Sequence, residues 1–250
     1  MKKLSVSLIA FLVPAVVCAA DLPKVAKSTP ATPVAASTWT GVYVGAFGGF
    51  ANGSAHIEPD AFLTDIGAYP VKMNFNGGFV GGAIGYNYEM NNGLVLGAVG
   101  DLAWAHIKGA TCVEATVGYC NGSYNDSYAH GTVNWLSTLR GKLGFAPSND
   151  LLLYATGGLA IAGARGEDTY VDGANNMTAH TTQAGWTVGA GADYKLSSSV
   201  SLEAEYLYAD LGKKDYRYSI ASASQLYGED LRTRSDLKLN LFKVGLNYHF

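Results

Sequence analysis

Residues 183–194 alternate along their whole length: Trp186, Val188, Ala190, Ala192 and Tyr194 interleave with Gly185, Thr187, Gly189, Gly191 and Asp193. A repeat of two is what a strand with unlike faces produces; a helix would repeat near 3.6. The same alternation recurs in residues 79–89, 94–104, 134–145, 151–162, 200–211 and 237–250, and residues 39–50 form a further strand whose parity the sequence leaves open. In 79–89, Val80, Ile84, Tyr86 and Tyr88 share a face. In 94–104, Leu94, Leu96, Ala98, Leu102 and Trp104 lie opposite Asp101. Leu139, Leu143 and Phe145 oppose Arg140 and Lys142, and Leu202, Ala204, Tyr206 and Tyr208 oppose Glu203 and Glu205. The final segment sets Phe242, Val244, Leu246, Tyr248 and Phe250 against Lys243, Gly245, Asn247 and His249.

The connections alternate as well. Short turns (90–93, 146–150, 195–199) follow the second, fourth and sixth strands, and long loops (51–78, 105–133, 163–182, 212–236) follow the first, third, fifth and seventh. Each strand is near the roughly 9–11 residues that a tilted membrane-crossing strand needs. Short turns on one side and long loops on the other are the layout of an outer-membrane barrel, and closure leaves no unpaired edge in lipid. The expected fold is therefore all-β: an eight-stranded antiparallel transmembrane β-barrel with short periplasmic turns and long external loops. A secreted soluble barrel has the same strand count with its apolar parity inside. Periodicity alone does not separate the two, but the glycine-dense polar face and the loop asymmetry favour the membrane.

Charged residues are only 15% of the chain and hydrophobic ones 48%, yet beyond residues 4–17 no run reaches the about 18 apolar residues of a spanning helix. A net charge of −3 argues against a nucleic-acid partner, which wants a basic face. Lys2 and Lys3, an apolar stretch to Val17 and the pair Ala19-Ala20 make residues 1–20 a signal peptide, whose removal takes the charge from −3 to −5. Val16-Val17 before Cys18 argues against lipid attachment. Residues 21–38, with Pro23, Pro30 and Pro33, read as an extended periplasmic linker, and residues 39–250 as the barrel. Cys112 and Cys120 remain, and in an exported chain a disulfide is favoured over two free thiols. No His-Cys cluster has zinc spacing, so no metal site is expected.

The segments Trp39-Thr40-Gly41-Val42-Tyr43-Val44-Gly45, Tyr154-Ala155-Thr156-Gly157-Gly158-Leu159-Ala160, Gly185-Trp186-Thr187-Val188-Gly189-Ala190-Gly191 and Glu205-Tyr206-Leu207-Tyr208-Ala209-Asp210-Leu211-Gly212, with the final phenylalanine, resemble the small outer-membrane β-barrel antigens of alphaproteobacteria. That family includes porin-like surface proteins and hemin-binding members. The resemblance covers residues 39–250 through barrel-wall motifs, so it speaks to fold and location more than to activity. It implies that Phe250, supported by Tyr248 and Leu246, is the signal read by the barrel assembly machinery.

Two groups of residues carry candidate chemistry. Asp101, Arg140, Lys142, Glu203, Glu205 and Lys243 share the lumen parity, in a space that eight strands leave barely wide enough for side chains. They read either as a self-neutralising plug, the favoured alternative, or as a narrow ion path. The external loops offer Tyr124, Tyr128 and His130, and the basic set Lys213, Lys214, Arg217, Arg232 and Arg234. Tyr and His can ligate heme iron, and basic side chains can pair its propionates or lipopolysaccharide phosphates. The expected role is structural and at the surface, with hemin reception and a small pore as alternatives. The expected partners are outer-membrane lipids, lipopolysaccharide, the assembly machinery, and hemin or a host surface. No resident cofactor is expected. The five histidines are scattered, no nucleophile and base assemble, and the glycine pairs lack a phosphate-loop context, so no enzyme is expected.

Overall fold

The computed structural model describes residues 39–59, 70–112, 127–170, 177–217, 219–220 and 232–250. Its strands are β1 (Gly41–Pro59), β2 (Val71–Glu89), β3 (Leu94–Cys112), β4 (Ser127–Ser148), β5 (Leu151–Tyr170), β6 (Met177–Lys195), β7 (Val200–Arg217), β8 (Ser219–Ile220) and β9 (Arg232–His249). Successive strands pair antiparallel from β1 to β7, β7 pairs β9, and β9 returns to β1 from Tyr43↔His249 to Pro59↔Thr233. The wall is thus a closed barrel of eight strands, while β8 only extends the ladder at the outer end of β6. The expected signal peptide and linker, residues 1–38, lie outside the described residues.

Orientation of the wall decides between the two barrel types. Trp104 is 71% exposed and Val80 61%, whereas Arg140 is 2% exposed and Lys243 3%. A water-soluble barrel would pay heavily for that arrangement on both faces; a lipid-facing wall requires it. The parity left open in the first strand also resolves: Tyr43, Phe47, Ala51 and Ala55 are buried inward, and Val42, Val44 and Phe50 face out.

The strands run well past their expected ends, because the alternation exchanges faces partway along. On β2 the outward residues read Tyr88, Tyr86, Ile84, Val80 and then Asn76, Asn74, Lys72, while the inward ones change from Asn87 to Phe79, Phe75 and Met73. On β9, Tyr248, Leu246, Val244 and Phe242 give way outward to Asn240, Lys238, Asp236 and Arg234, and inward Lys243 gives way to Leu241, Leu239 and Leu237. Near the short turns the barrel is built for lipid; beyond the exchange it is built for water, with an apolar core inside. The loops expected over 51–78, 105–133, 163–182 and 212–236 are therefore largely strand: β1 continues to Pro59, β3 to Cys112, β5 to Tyr170 and β7 to Arg217. Phe50, Trp104, Trp186, Tyr206 and Phe242 ring the exchange level, and Tyr86, Tyr88, Phe145, Tyr194, Tyr248 and Phe250 ring the turn end, as aromatic girdles do.

Candidate functional site

The lumen is filled in three tiers. The middle tier is charged. Arg140, on β4, reaches Asp101 Oδ2 at 2.6 Å on neighbouring β3 and also pairs with Glu205, across the lumen on β7. Its Nε donates to Thr138 Oγ1 at 2.8 Å and its Nη1 to Thr156 Oγ1 at 3.0 Å, so the guanidinium is held on several sides. Asp101 Oδ1 accepts in turn from the Thr138 hydroxyl at 2.8 Å and the Thr138 backbone N–H at 3.1 Å. Lys243, on β9, lies 2.7 Å from Glu205 Oε2, 2.9 Å from Glu203 Oε1 and 3.7 Å from Asp101 Oδ2. Its ammonium also stands 4.7 Å from the centre of the Phe47 ring. Asn247 Nδ2 donates to the second oxygen of Glu203 at 2.9 Å.

The lower tier faces the turns. Lys142 pairs with Asp193 Oδ2 at 3.2 Å and sits 3.9 Å from the Tyr154 ring centre. Trp39 closes this end. Its indole is 1% exposed, packs with Val95, Leu152 and Tyr154, meets His249 edge-on at 5.7 Å, and lies 4.5 Å under the Lys195 ammonium. Its backbone N–H donates to Glu89 Oε2 at 2.7 Å. Several buried polar atoms here, among them Tyr43 Oη, Tyr154 Oη, the Asn87 amide and Asp193 Oδ1, have no hydrogen-bond partner among the described residues. The lower tier is therefore less completely satisfied than the middle one. The upper tier is apolar: Phe47, Phe79, Leu136, Leu207 and Leu241 cover the charges, and Met73, Phe75, Ile107, Leu237 and Leu239 continue the core outward.

Of the six lumen charges named from the sequence, Asp101, Arg140, Glu203, Glu205 and Lys243 are joined in the middle tier, and Lys142 pairs with Asp193 in the lower one. Asp193 lies close to the turn after β6; the sequence reading set it on the polar parity of Gly185 and Gly189 but left it out of the lumen charge set. It also missed Thr138, Thr156 and Asn247, whose small polar side chains carry no signal by themselves, and Trp39, whose strand had no assigned parity. Inward glycines make the fit possible. A methyl group on Gly158 would collide with the Leu139 carbonyl oxygen and come within 2.7 Å of Arg140 Cα.

The loop candidates are placed differently from expectation. Lys213, Lys214 and Arg217 stand on β7, Arg232 and Arg234 on β9, and Tyr128 and His130 on β4. They sit on strand rather than loop because the ladder continues beyond the membrane: Lys213 pairs with Asp236 and Arg217 with Arg232. His130 is exposed on the outer face of the wall. Arg234 donates to Asp215 Oδ1 at 3.0 Å, and this hydrogen bond and charge hold its guanidinium above the usual range. Tyr124 lies outside the described residues, as does Cys120; Cys112, at the end of β3, is disulfide-bonded. Leu246, Tyr248 and Phe250 all face outward, with the Tyr248 and Phe250 rings 5.1 Å apart. No cluster that could hold a metal occurs among the described residues.

Residues 25–250 match the family model described as the outer membrane protein beta-barrel domain. The chain is 33% identical to the 31 kDa outer-membrane immunogenic protein of Brucella melitensis, over 100% of both chains. It is 28% identical to the 22 kDa outer membrane protein of Rhizobium leguminosarum bv. viciae, over 90% of this chain and 83% of that one. Among solved structures, the outer membrane protein OprG of Pseudomonas aeruginosa aligns with 86% of this chain and 98% of its own at 16% identity, with a TM-score of 0.49.

Proposed function

The chain belongs to the outer membrane protein beta-barrel domain family, and from that premise we propose that it acts as a sealed surface barrel, a structural envelope protein that displays its outer wall and passes nothing through its lumen. It is a protein of the outer membrane, similar over its full length to one named as immunogenic. The observation that carries the reading is Arg140, tied at once to Asp101 on β3 and Glu205 on β7. That bridge spans the lumen at mid-depth, with Lys243 joining the same acids. An ion path needs groups that can exchange partners with a passing ion, whereas these charges are buried, paired with one another and covered by the apolar tier.

The small-pore reading gains no observation of its own against this. Hemin reception rests on the resemblance and on Tyr124, Tyr128 and His130; since His130 faces outward, a hemin site there would lie on the outer wall rather than in the lumen. We assign no catalysis: the charged groups of the middle tier pair with one another. Phe250, Tyr248 and Leu246 fit the role of assembly signal, presenting an aromatic and apolar edge on the strand that closes the barrel. The test is a swelling assay on proteoliposomes in isotonic sugars of increasing size. The sealed barrel swells no faster than protein-free vesicles, and size-graded swelling would remove the reading.

A further inference from the structure

Above the aromatic girdle, the outward face of β2 to β5 carries an open groove lined by Asn74, Asn76, Lys108, His130, Thr132 and Glu167. We propose that this groove holds the phosphorylated sugar headgroup of outer-leaflet lipopolysaccharide, with Lys108 on one phosphate, Lys72, beyond the groove lining on the same face of β2 as Asn74 and Asn76, on a second, and the two asparagines on sugar hydroxyls.

Three observations lead there. The first is height. Lys108 lies four residues beyond Trp104 on the same face of β3. At strand rise and barrel tilt that is about 10 Å above the indole, where the wall leaves hydrocarbon for headgroups. The groove is thus continuous with the lipid-facing surface below it. The second is charge. On the opposite side of the collar, Arg234 is matched by Asp215 at 3.0 Å, Lys213 by Glu58 at 3.8 Å, and Lys238 by Asp236 at 3.9 Å and Asp210 at 4.0 Å. Lys72 and Lys108 have no ion-pair partner among the described residues. Two unneutralised ammonium groups on adjacent strands suit a ligand with more than one phosphate. The third is the lining. Two outward amides, an imidazole and a hydroxyl supply both donors and acceptors, as sugar hydroxyls need, and the one carboxylate of the lining, Glu167, is paired with Arg165 at 2.5 Å. A phospholipid offers a phosphate and few hydroxyls, and would leave the asparagines unused.

The inference rests on the outer-membrane placement and not on the sealed lumen, so a barrel that proved leaky in the swelling assay would leave it standing. The test is native mass spectrometry of the refolded full chain in detergent, titrated with deep-rough lipopolysaccharide, its dephosphorylated form, and phosphatidylglycerol. The expected result is a saturable one-to-one adduct with the phosphorylated glycolipid only. Its affinity falls at least about tenfold in the Lys72→Gln/Lys108→Gln variant, as two lysines near an anionic surface imply. It is retained in Lys213→Gln/Lys214→Gln on the opposite wall. Both variants should keep the folded gel mobility, since every altered side chain is exposed. Equal binding by all three proteins, or phosphatidylglycerol binding as tightly as lipopolysaccharide, overturns the proposal.

Discussion

Replacing Lys243 with methionine removes one charge from the lumen and shortens the side chain by one atom. Lys243 is 3% exposed and lies within 3.7 Å of Asp101, Glu203 and Glu205. At an effective dielectric of 20, its 2.7 Å contact with Glu205 alone carries roughly 6 kcal/mol of gross attraction. Part of that returns on substitution, since methionine needs no desolvation. The acids gain nothing: Glu205 keeps its ion pair with Arg140, but Glu203 keeps no ion pair among the described residues and retains the hydrogen bond from the Asn247 amide. Breaking a buried pair from one side costs about 3–5 kcal/mol, and that is the expected loss for Lys243→Met. In the double variant Lys243→Met/Glu203→Gln the stranded charge is gone, so at least about 2 kcal/mol should be recovered, a coupling of the size seen for contacting residues. The assay is urea unfolding of the refolded barrel in micelles, followed by tryptophan fluorescence, with a double-mutant cycle. A Lys243→Met loss below about 0.5 kcal/mol, the range of ordinary surface substitutions, would refute the reasoning. So would a double variant no more stable than the single one.

The same apparatus tests the wall. Gly158→Ala should cost about 2 kcal/mol or more, because its methyl group meets backbone on the inward side, whereas Gly141→Ala, with nothing nearer than 3.9 Å, should be close to neutral; similar effects at both positions would contradict the inward and outward assignments. Ile84→Arg on β2, midway between the two girdles and 60% exposed to lipid, should cost about 2–4 kcal/mol in bilayers, while Asn76→Arg, eight residues on along the same face, should cost less than about 1 kcal/mol. Equal costs, measured by unfolding in lipid vesicles, would mean that the hydrocarbon does not end between them.

The sequence reading recovered the eight wall strands and the lumen parity of the charges, because Leu139, Arg140, Lys142 and Leu143 announce a period of two by themselves. Strand length was not legible. On β2 the polar Asn76, Asn74 and Lys72 follow the outward parity of Val80, so a search for an apolar stripe stops where the surroundings change from lipid to water. The pairing within the network was only half legible. Arg140 and Asp101 sit on neighbouring strands at nearly matching positions (Thr138↔Asp101), but the reach of Arg140 to Glu205 depends on the stagger of the closed barrel, which no local pattern records. Trp39 gave no warning at all: a tryptophan at the edge of a strand of open parity could equally have faced lipid.

The claim on which the account turns is that the lumen is closed, and single-channel recording in planar bilayers addresses it most directly. The refolded wild-type barrel, inserted and verified as folded by gel mobility, should give no current steps in molar potassium chloride across the usual range of voltages. Stable, ohmic steps from the wild-type protein, shifted in ion selectivity by Lys243→Met, would contradict the account and make Arg140, Glu205 and Lys243 the lining of a pore.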